Sequence, residues 1–203
     1  MLKQSNYLGQ IGDEMSISES FKQLGGNPVV EKLKKLGPFW ELLSDESDRQ
    51  ASIVSACILD DLLERIVTAS FIRDPSVKRT FEDDHILQSF YAKINISYYS
   101  GLIQKTIYND LKLIRRIRNK FAHSVITDLD FTDRSIAQQI GEFSFPTEFI
   151  EIFSEPRVRF RVVVLAIVAV LLFTEEMLTR NPVQHFADTL NATKEAGFSE
   201  TDK

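Results

Sequence analysis

The 203-residue sequence holds one cysteine, Cys57. A lone thiol cannot close an internal disulfide, and no Cys/His spacing of the metal-site kind accompanies it, so neither a structural metal nor a cofactor is expected. A reducing cytoplasm is the simplest setting. With 8 glycines and 6 prolines, the chain is short of the turn residues an all-β fold needs, and strand-type alternation is missing throughout. No phosphate-cradling glycine motif occurs, and Gly25-Gly26, with no Lys-Ser/Thr after it, reads as a break between helices. The N-terminus, MLKQSNYLGQIGDEMS, lacks the apolar centre of a signal peptide. The longest apolar run, VVVLAIVAVLLF (162–173), has twelve residues. A membrane span takes about 18 or more, so a buried core helix is expected and no membrane partner. Positive charge is in the minority, 24 Lys and Arg against 29 Asp and Glu. That balance excludes a surface coated for general nucleic-acid binding.

What is present is helical. Residues 1–43 read as an arm of short helices (SISESFKQL, VVEKLKKL, FWELL) punctuated by Gly25-Gly26 and Gly37-Pro38, with Phe39 and Trp40 as its docking aromatics. Residues 44–182 read as a helical bundle and 183–203 as a loose tail. Within the bundle a long helix begins with Ser44 or Asp45 as its cap and runs to about Asp74-Pro75. A loop, PSVKRTFEDD, leads to a helix over HILQSFYAKINISYYS, with Gly101 as its left-handed stop. The next helix starts near Thr106 or Asn109 and ends at His123. A weaker one covers RSIAQQI, and the last runs from Arg157 to Thr179 before Asn181-Pro182. The expected fold is an all-α, multi-helix up-and-down bundle.

One stretch of this acidic chain is strongly basic: LKLIRRIRNKFAHSVITD (111–128), where Lys112, Arg115, Arg116, Arg118 and Lys120 fall within nine residues. At about 100° per residue, Leu111, Ile114, Ile117 and Phe121 form an apolar stripe with Leu113 at its edge. Lys112, Arg116, Asn119 and His123 lie opposite. Arg118 projects onto the margin of the stripe, where it must snorkel or meet an acid. Asp60 and Glu64, one turn apart on the preceding long helix, are the acids that fit, either as a structural ion pair or as support for a site. On a straight helix Arg118 and His123 stand about 140° apart, so only a distorted helix end or a second subunit brings them together. His123 falls in the last helical turn, where free carbonyls favour an imidazolium.

The pattern Arg-Asn-x-x-x-His in RNKFAH (118–123) resembles the signature of the HEPN superfamily, small helical bundles that dimerise. More closely, SFYAKINISYYSGLIQKTIYNDLKLIRRIRNKFAHS (89–124) is similar to the central block of the mannitol operon repressor (MltR) family, and ASIVSACILDDLLERIV (51–67) to that family's preceding helix. The resemblance spans roughly residues 45 to 175, and it implies two functions. MltR proteins are regarded as transcriptional regulators that act through protein partners or a transcription factor. This chain likewise has no helix-turn-helix with a polar recognition face. HEPN proteins include metal-independent endoribonucleases of the toxin or phage-defence type. In that case Arg118 would steady the scissile phosphate, His123 would move a proton, and Asn119 would hold the geometry, with Asp60 or Glu64 orienting Arg118. Lys112, Arg115, Arg116 and Lys120 would then draw in the RNA backbone. The regulator is the leading expectation, the ribonuclease the alternative, and a scaffold with neither role the third.

The remaining candidates have plainer readings. His85 and His185 read as surface histidines, and FEDDH (81–85) as a solvated helix cap rather than a cation site. Phe90, Tyr91, Tyr98 and Tyr99 have helical spacing and read as core and dimer contacts rather than base-stacking groups. A homodimer has a physical motive: from Val162 to Phe173 the last helix is apolar around its whole circumference and has to be surrounded.

Overall fold

Seven α-helices and no strand occur among the described residues, which in this computed structural model are 37–71, 74–81, 86–124, 129–145 and 153–180. The all-α expectation holds for them. The chain divides into two compact units, residues 1–45 and 46–203. In the first unit, FWELL lies within α1 (Gly37–Asp45), which buries Leu43. The other arm helices and the Trp40 side chain lie outside the described residues, as does the tail.

The second unit opens with α2 (Asp48–Ser70). Its cap is Ser47, not Ser44 or Asp45, because those two residues still belong to α1. The Ser47 hydroxyl accepts from Gln50 N at 3.3 Å, and Asp48 places an acid in the first turn, where the helix dipole favours it. Asp48 also joins two distant segments. It pairs with Arg157 Nε at 2.9 Å and accepts from Phe131 N at 2.7 Å. The helix stops at Ser70, short of the expected Asp74, because Phe71 is extended and Ser70 Oγ donates back to Val67 O at 2.7 Å.

A four-residue helix, α3 (Ser76–Arg79), lies inside the expected loop, started by an Asp74 carboxylate that accepts from Ser76 N at 2.7 Å. Next, α4 (Phe90–Tyr99) begins four to five residues later than the apolar pattern suggests, because Ser89 Oγ caps Ala92 N at 3.1 Å. Gly101 closes it at φ +73°, with Leu102 N reaching Ser97 O at 2.9 Å, the left-handed stop expected of that glycine. The basic helix is α5 (Lys105–His123). It is followed by α6 (Arg134–Gly141) and by α7 (Pro156–Arg180), whose first turn is capped by Glu155 through Arg157 N and Val158 N. The expected stop at Asn181-Pro182 lies outside the described residues.

At the centre, α2 packs against α7, α5 and α4; α4 packs against α5, and α6 bridges α5 and α7. Leu59, Leu63 and Ile66 of α2 meet a core that includes Ile114 and Ile117 of α5 and Val163 and Ile167 of α7, all at 0% exposure. Four rings continue that core toward α6: Phe121 against Phe131 (centroids 5.6 Å apart), Phe131 on Phe160 (4.6 Å), and Phe143 beside Phe160 (6.2 Å).

By length and composition α7 could cross a membrane, with a mean hydropathy of 2.3 over an 18-residue window. In the bundle one face of it is buried, Phe160, Val163, Val164, Ile167, Val168 and Leu171. The opposite face, Val162, Leu165, Ala166 and Ala169, is half-buried among the described residues, and Phe173 is 53% exposed. The expectation of a helix covered all round is therefore met on one side.

Candidate functional site

The helical periodicity of α5 sets the site. Leu111, Ile114, Ile117 and Phe121 are all at 0% exposure and turn into the core, and Leu113 is buried beside them. Lys112, Arg115, Asn119 and Lys120 are consequently half-buried on the outer side, and Arg116 and His123 are exposed there. Arg116, Asn119, Lys120 and His123, with Ser124 and Gln139, line one open groove where α5 ends beside α6. Lys120 Nζ donates to Ser135 O at 3.1 Å, which ties the two helices together across it. Arg49 donates to Ser124 O and so secures the residue after the helix. His123 is the last residue of α5, as its place in the sequence suggests.

Arg118 is not in this groove. It is half-buried, and its Nη1 donates to Asn119 Oδ1 at 3.1 Å. The expected pairing with Asp60 or Glu64 is not what the structure builds. Those carboxylates close instead on Lys93 of α4, whose Nζ lies 3.2 Å from Asp60 Oδ1 and 2.6 Å from Glu64 Oε2. The reason is reach and placement: Lys93 projects from a helix packed directly on α2 and is 4% exposed, so the acids answer a cation that water cannot. Burial raises the pKa of Asp60, which the Lys93 charge only partly offsets; Arg118 acts on Asp60 as a weaker, longer-range charge. Burial also opposes the Lys93 ammonium, but the Glu64 hydrogen bond and the Asp60 charge outweigh it and hold its pKa above the ordinary lysine value.

Within one chain, then, the RNxxxH residues separate into two settings. Asn119 and His123 line the groove, while Arg118 does not and is bonded to Asn119. Lys93 is absent from the residues that the sequence singles out. The signal that could have found it is that it is the only charged residue in FYAKINISYY, a helix otherwise apolar or neutral.

A second missed residue is Asp110, the only acid in α5. It is fully buried and accepts from Phe145 N at 2.8 Å, Ser144 N at 3.1 Å and Ser144 Oγ at 3.3 Å. It thus fastens the segment after α6 to α5. Burial lifts its pKa to about 6 against the pull of those hydrogen bonds.

The aromatic group behaves differently from the core reading. Tyr98 is half-buried and stacks on Tyr108 with centroids 4.4 Å apart. Tyr91 and Tyr99, by contrast, are 44% and 73% exposed. His85, His185 and most of FEDDH lie outside the described residues. Among the described residues no three His, Cys, Asp or Glu side chains gather as a metal site.

No family model matches the sequence, and no curated protein matches it either. Among solved structures the chain is similar to the X-ray structure of the MtlR–HPr complex from Escherichia coli, at 18% identity and a TM-score of 0.47, over 74% of this chain and 98% of the matched one.

Proposed function

We propose that this chain is a regulatory interaction module of the mannitol operon repressor kind, cytoplasmic and dimeric, that acts through a protein partner and not as a ribonuclease. The observation that carries the choice is that Arg118 does not line the groove that holds His123. A phosphate clamp and a proton-transfer group have to converge on one reacting phosphate within hydrogen-bond reach. Here the guanidinium is bonded to Asn119, lies outside the groove's lining and acts on Asp60 only as a longer-range charge, while the imidazole stands in the open groove. The similarity of residues 89–124 to the MltR central block supports the regulatory reading, and the half-buried apolar side of α7 offers surface for a second copy.

The rival has a definite form: a ribonuclease in which a second copy brings its Arg118 to this groove. Incubating the purified chain with several labelled structured RNAs in EDTA, beside His123→Ala, separates the two. We expect the native chain and His123→Ala to leave the RNAs equally intact. Metal-independent cleavage that disappears in His123→Ala would replace the regulator with the enzyme. In parallel, tagged chain recovered from cells should retain a protein partner in stoichiometric amount; recovery of the chain alone would favour a scaffold.

A further inference from the structure

The outer face of α4 and α5 is unlike the rest of this molecule. Residues 86–124 hold seven of the chain's 24 Lys and Arg but one of its 29 Asp and Glu; Asp110 is buried against Ser144 and Lys93 is buried between Asp60 and Glu64, which leaves six cations and no acid toward the outside. Along α5 the positions that share the outward side are Lys105, Lys112, Arg115 and Arg116, continuing to Asn119 and His123, with the buried Tyr108 beneath Lys105 and Lys112. This stripe contains no aliphatic residue, and at 1.5 Å per residue it is about 27 Å long.

Tyrosine rings are set among these cations. Lys105 Nζ lies 4.9 Å from the Tyr98 ring centre and 4.6 Å from that of Tyr108, Lys112 Nζ lies 5.0 Å from Tyr108, and the Arg115 guanidinium lies 4.9 Å from Tyr91. The stacked Tyr98–Tyr108 pair forms the floor, and Asn95 accepts from the Tyr108 hydroxyl at 3.1 Å. Tyr99, beside Tyr98 with ring centres 5.8 Å apart, stands out into water, as does Tyr91 two turns earlier.

We infer that this face is a non-catalytic binding surface for single-stranded nucleic acid, with Tyr91 and Tyr99 stacking on bases and Lys105, Lys112, Arg115 and Arg116 meeting the phosphates. The argument is one of chemical fit. Lysine is depleted at protein–protein interfaces, whereas Lys105 and Lys112 stand with Arg115 and Arg116 on this face. Exposed flat rings set in a line of cations match a polyanion that carries flat rings of its own. A duplex keeps its bases stacked on one another and could use only the cations. The inference goes beyond the proposed regulatory function, and its test reads a different quantity.

The test is fluorescence anisotropy of the full chain with a labelled twelve-nucleotide oligo-U and oligo-dT at low salt. Binding is expected, weakening steeply as salt rises. Tyr99→Ala and Tyr91→Ala should each weaken it about 5- to 100-fold, the range that loss of one stacked base corresponds to. Tyr99→Phe should retain it, because stacking needs the ring and not the hydroxyl. Lys105→Ala with Lys112→Ala should flatten the salt dependence. Because Tyr99 is largely exposed, its variants keep the fold, which circular dichroism checks. Three results would each overturn the inference: no binding by the native chain, equal binding of a duplex or a poly-glutamate peptide, or tyrosine variants that bind as the native chain does. A fall to half the native mass in light scattering for Tyr91→Ala/Tyr99→Ala would do so as well, by assigning the face to a second copy. Failure here leaves partner recovery and the cleavage assay untouched.

Discussion

Lys93 Nζ lies 2.6 Å from Glu64 Oε2 across the α2–α4 contact. The ammonium is 5% exposed and the carboxylate 42%, so nearly all the desolvation falls on the cation, and Asp60, at 34%, supplies a second counter-charge 3.2 Å away. A single buried cation answered by two half-exposed acids fixes how α4 is seated on α2. It also leaves one net negative charge that Arg118, bonded to Asn119, feels only at longer range.

The relative importance of the two cations follows. Lys93→Ala leaves Asp60 and Glu64 facing each other without a counter-ion. A fully buried broken pair costs about 3–5 kcal/mol; with the acids half open to water we expect about 1–3 kcal/mol. Arg118→Ala removes a neighbour bond and a long-range attraction and should cost less than about 1 kcal/mol. Urea unfolding of both variants is the check, and an Arg118 loss equal to or above the Lys93 loss would reverse the assignment.

At the start of α2, Asp48 serves three structural ends at once: a favourable charge in the first turn, an ion pair with Arg157 of α7 and an acceptor for Phe131 N. Asp48→Ala should therefore destabilise by about 2–3 kcal/mol, from the lost ion pair with Arg157 and the orphaned Phe131 N–H. Ser47→Ala, which removes only the cap, should cost about 1 kcal/mol. The contrast is read by thermal unfolding monitored at 222 nm, and similar losses for the two would mean that Asp48 acts through the helix end alone.

Asp110 predicts a pH dependence with a definite sign. Its folded pKa, about 6, lies above the ordinary carboxylate value of 3.8, so the folded state takes up the proton first. That contribution to stability is full below the unfolded pKa and is lost as pH rises through about 6. Asp110→Ala leaves Ser144 N and Phe145 N without an acceptor and should destabilise by about 1–3 kcal/mol at pH 7. The native-minus-variant difference should then widen by on the order of 1 kcal/mol between pH 7 and pH 5. A difference that stays level or narrows over that range would show that Asp110 does not take up its proton there.

Helix existence and the faces of α5 were legible in the sequence because both follow from local periodicity: Leu111, Ile114, Ile117 and Phe121 could bury only together. The left-handed stop at Gly101 was legible for the same reason, since a residue without a Cβ at a helix end has one common use. Helix starts were less so. Ser44, Ser47 and Ser89 are equally good caps in isolation, and the continuation of α1 through Asp45 decides between the first two. The partner of Asp60 and Glu64 was not legible. It depends on which of two cations a third helix brings within 3 Å, and Lys93, twenty-five positions before Arg118, carries no periodic mark. Asp110 was hidden likewise: on α5 it looks like a solvated acid among basic residues until the segment after α6 folds back over it.

The two sides of α7 supply the last prediction. Val163, Ile167 and Leu171 belong to the core, whereas Val162 and Ala169, on the opposite side, are half-buried. If a second copy covers that side, as the proposed dimer requires, light scattering after gel filtration at micromolar concentration should give twice the chain mass. Val162→Glu and Ala169→Glu should shift the population to monomer, because a carboxylate forced into an apolar contact costs at least about 2 kcal/mol, or roughly thirtyfold in dissociation constant. Unfolding of the separated monomers should differ little from one variant to the other, since neither residue belongs to the core. Native chain that runs as a monomer would remove the dimer, and with it the two-copy form of the ribonuclease; variants that remain dimeric would place the dimer contact elsewhere.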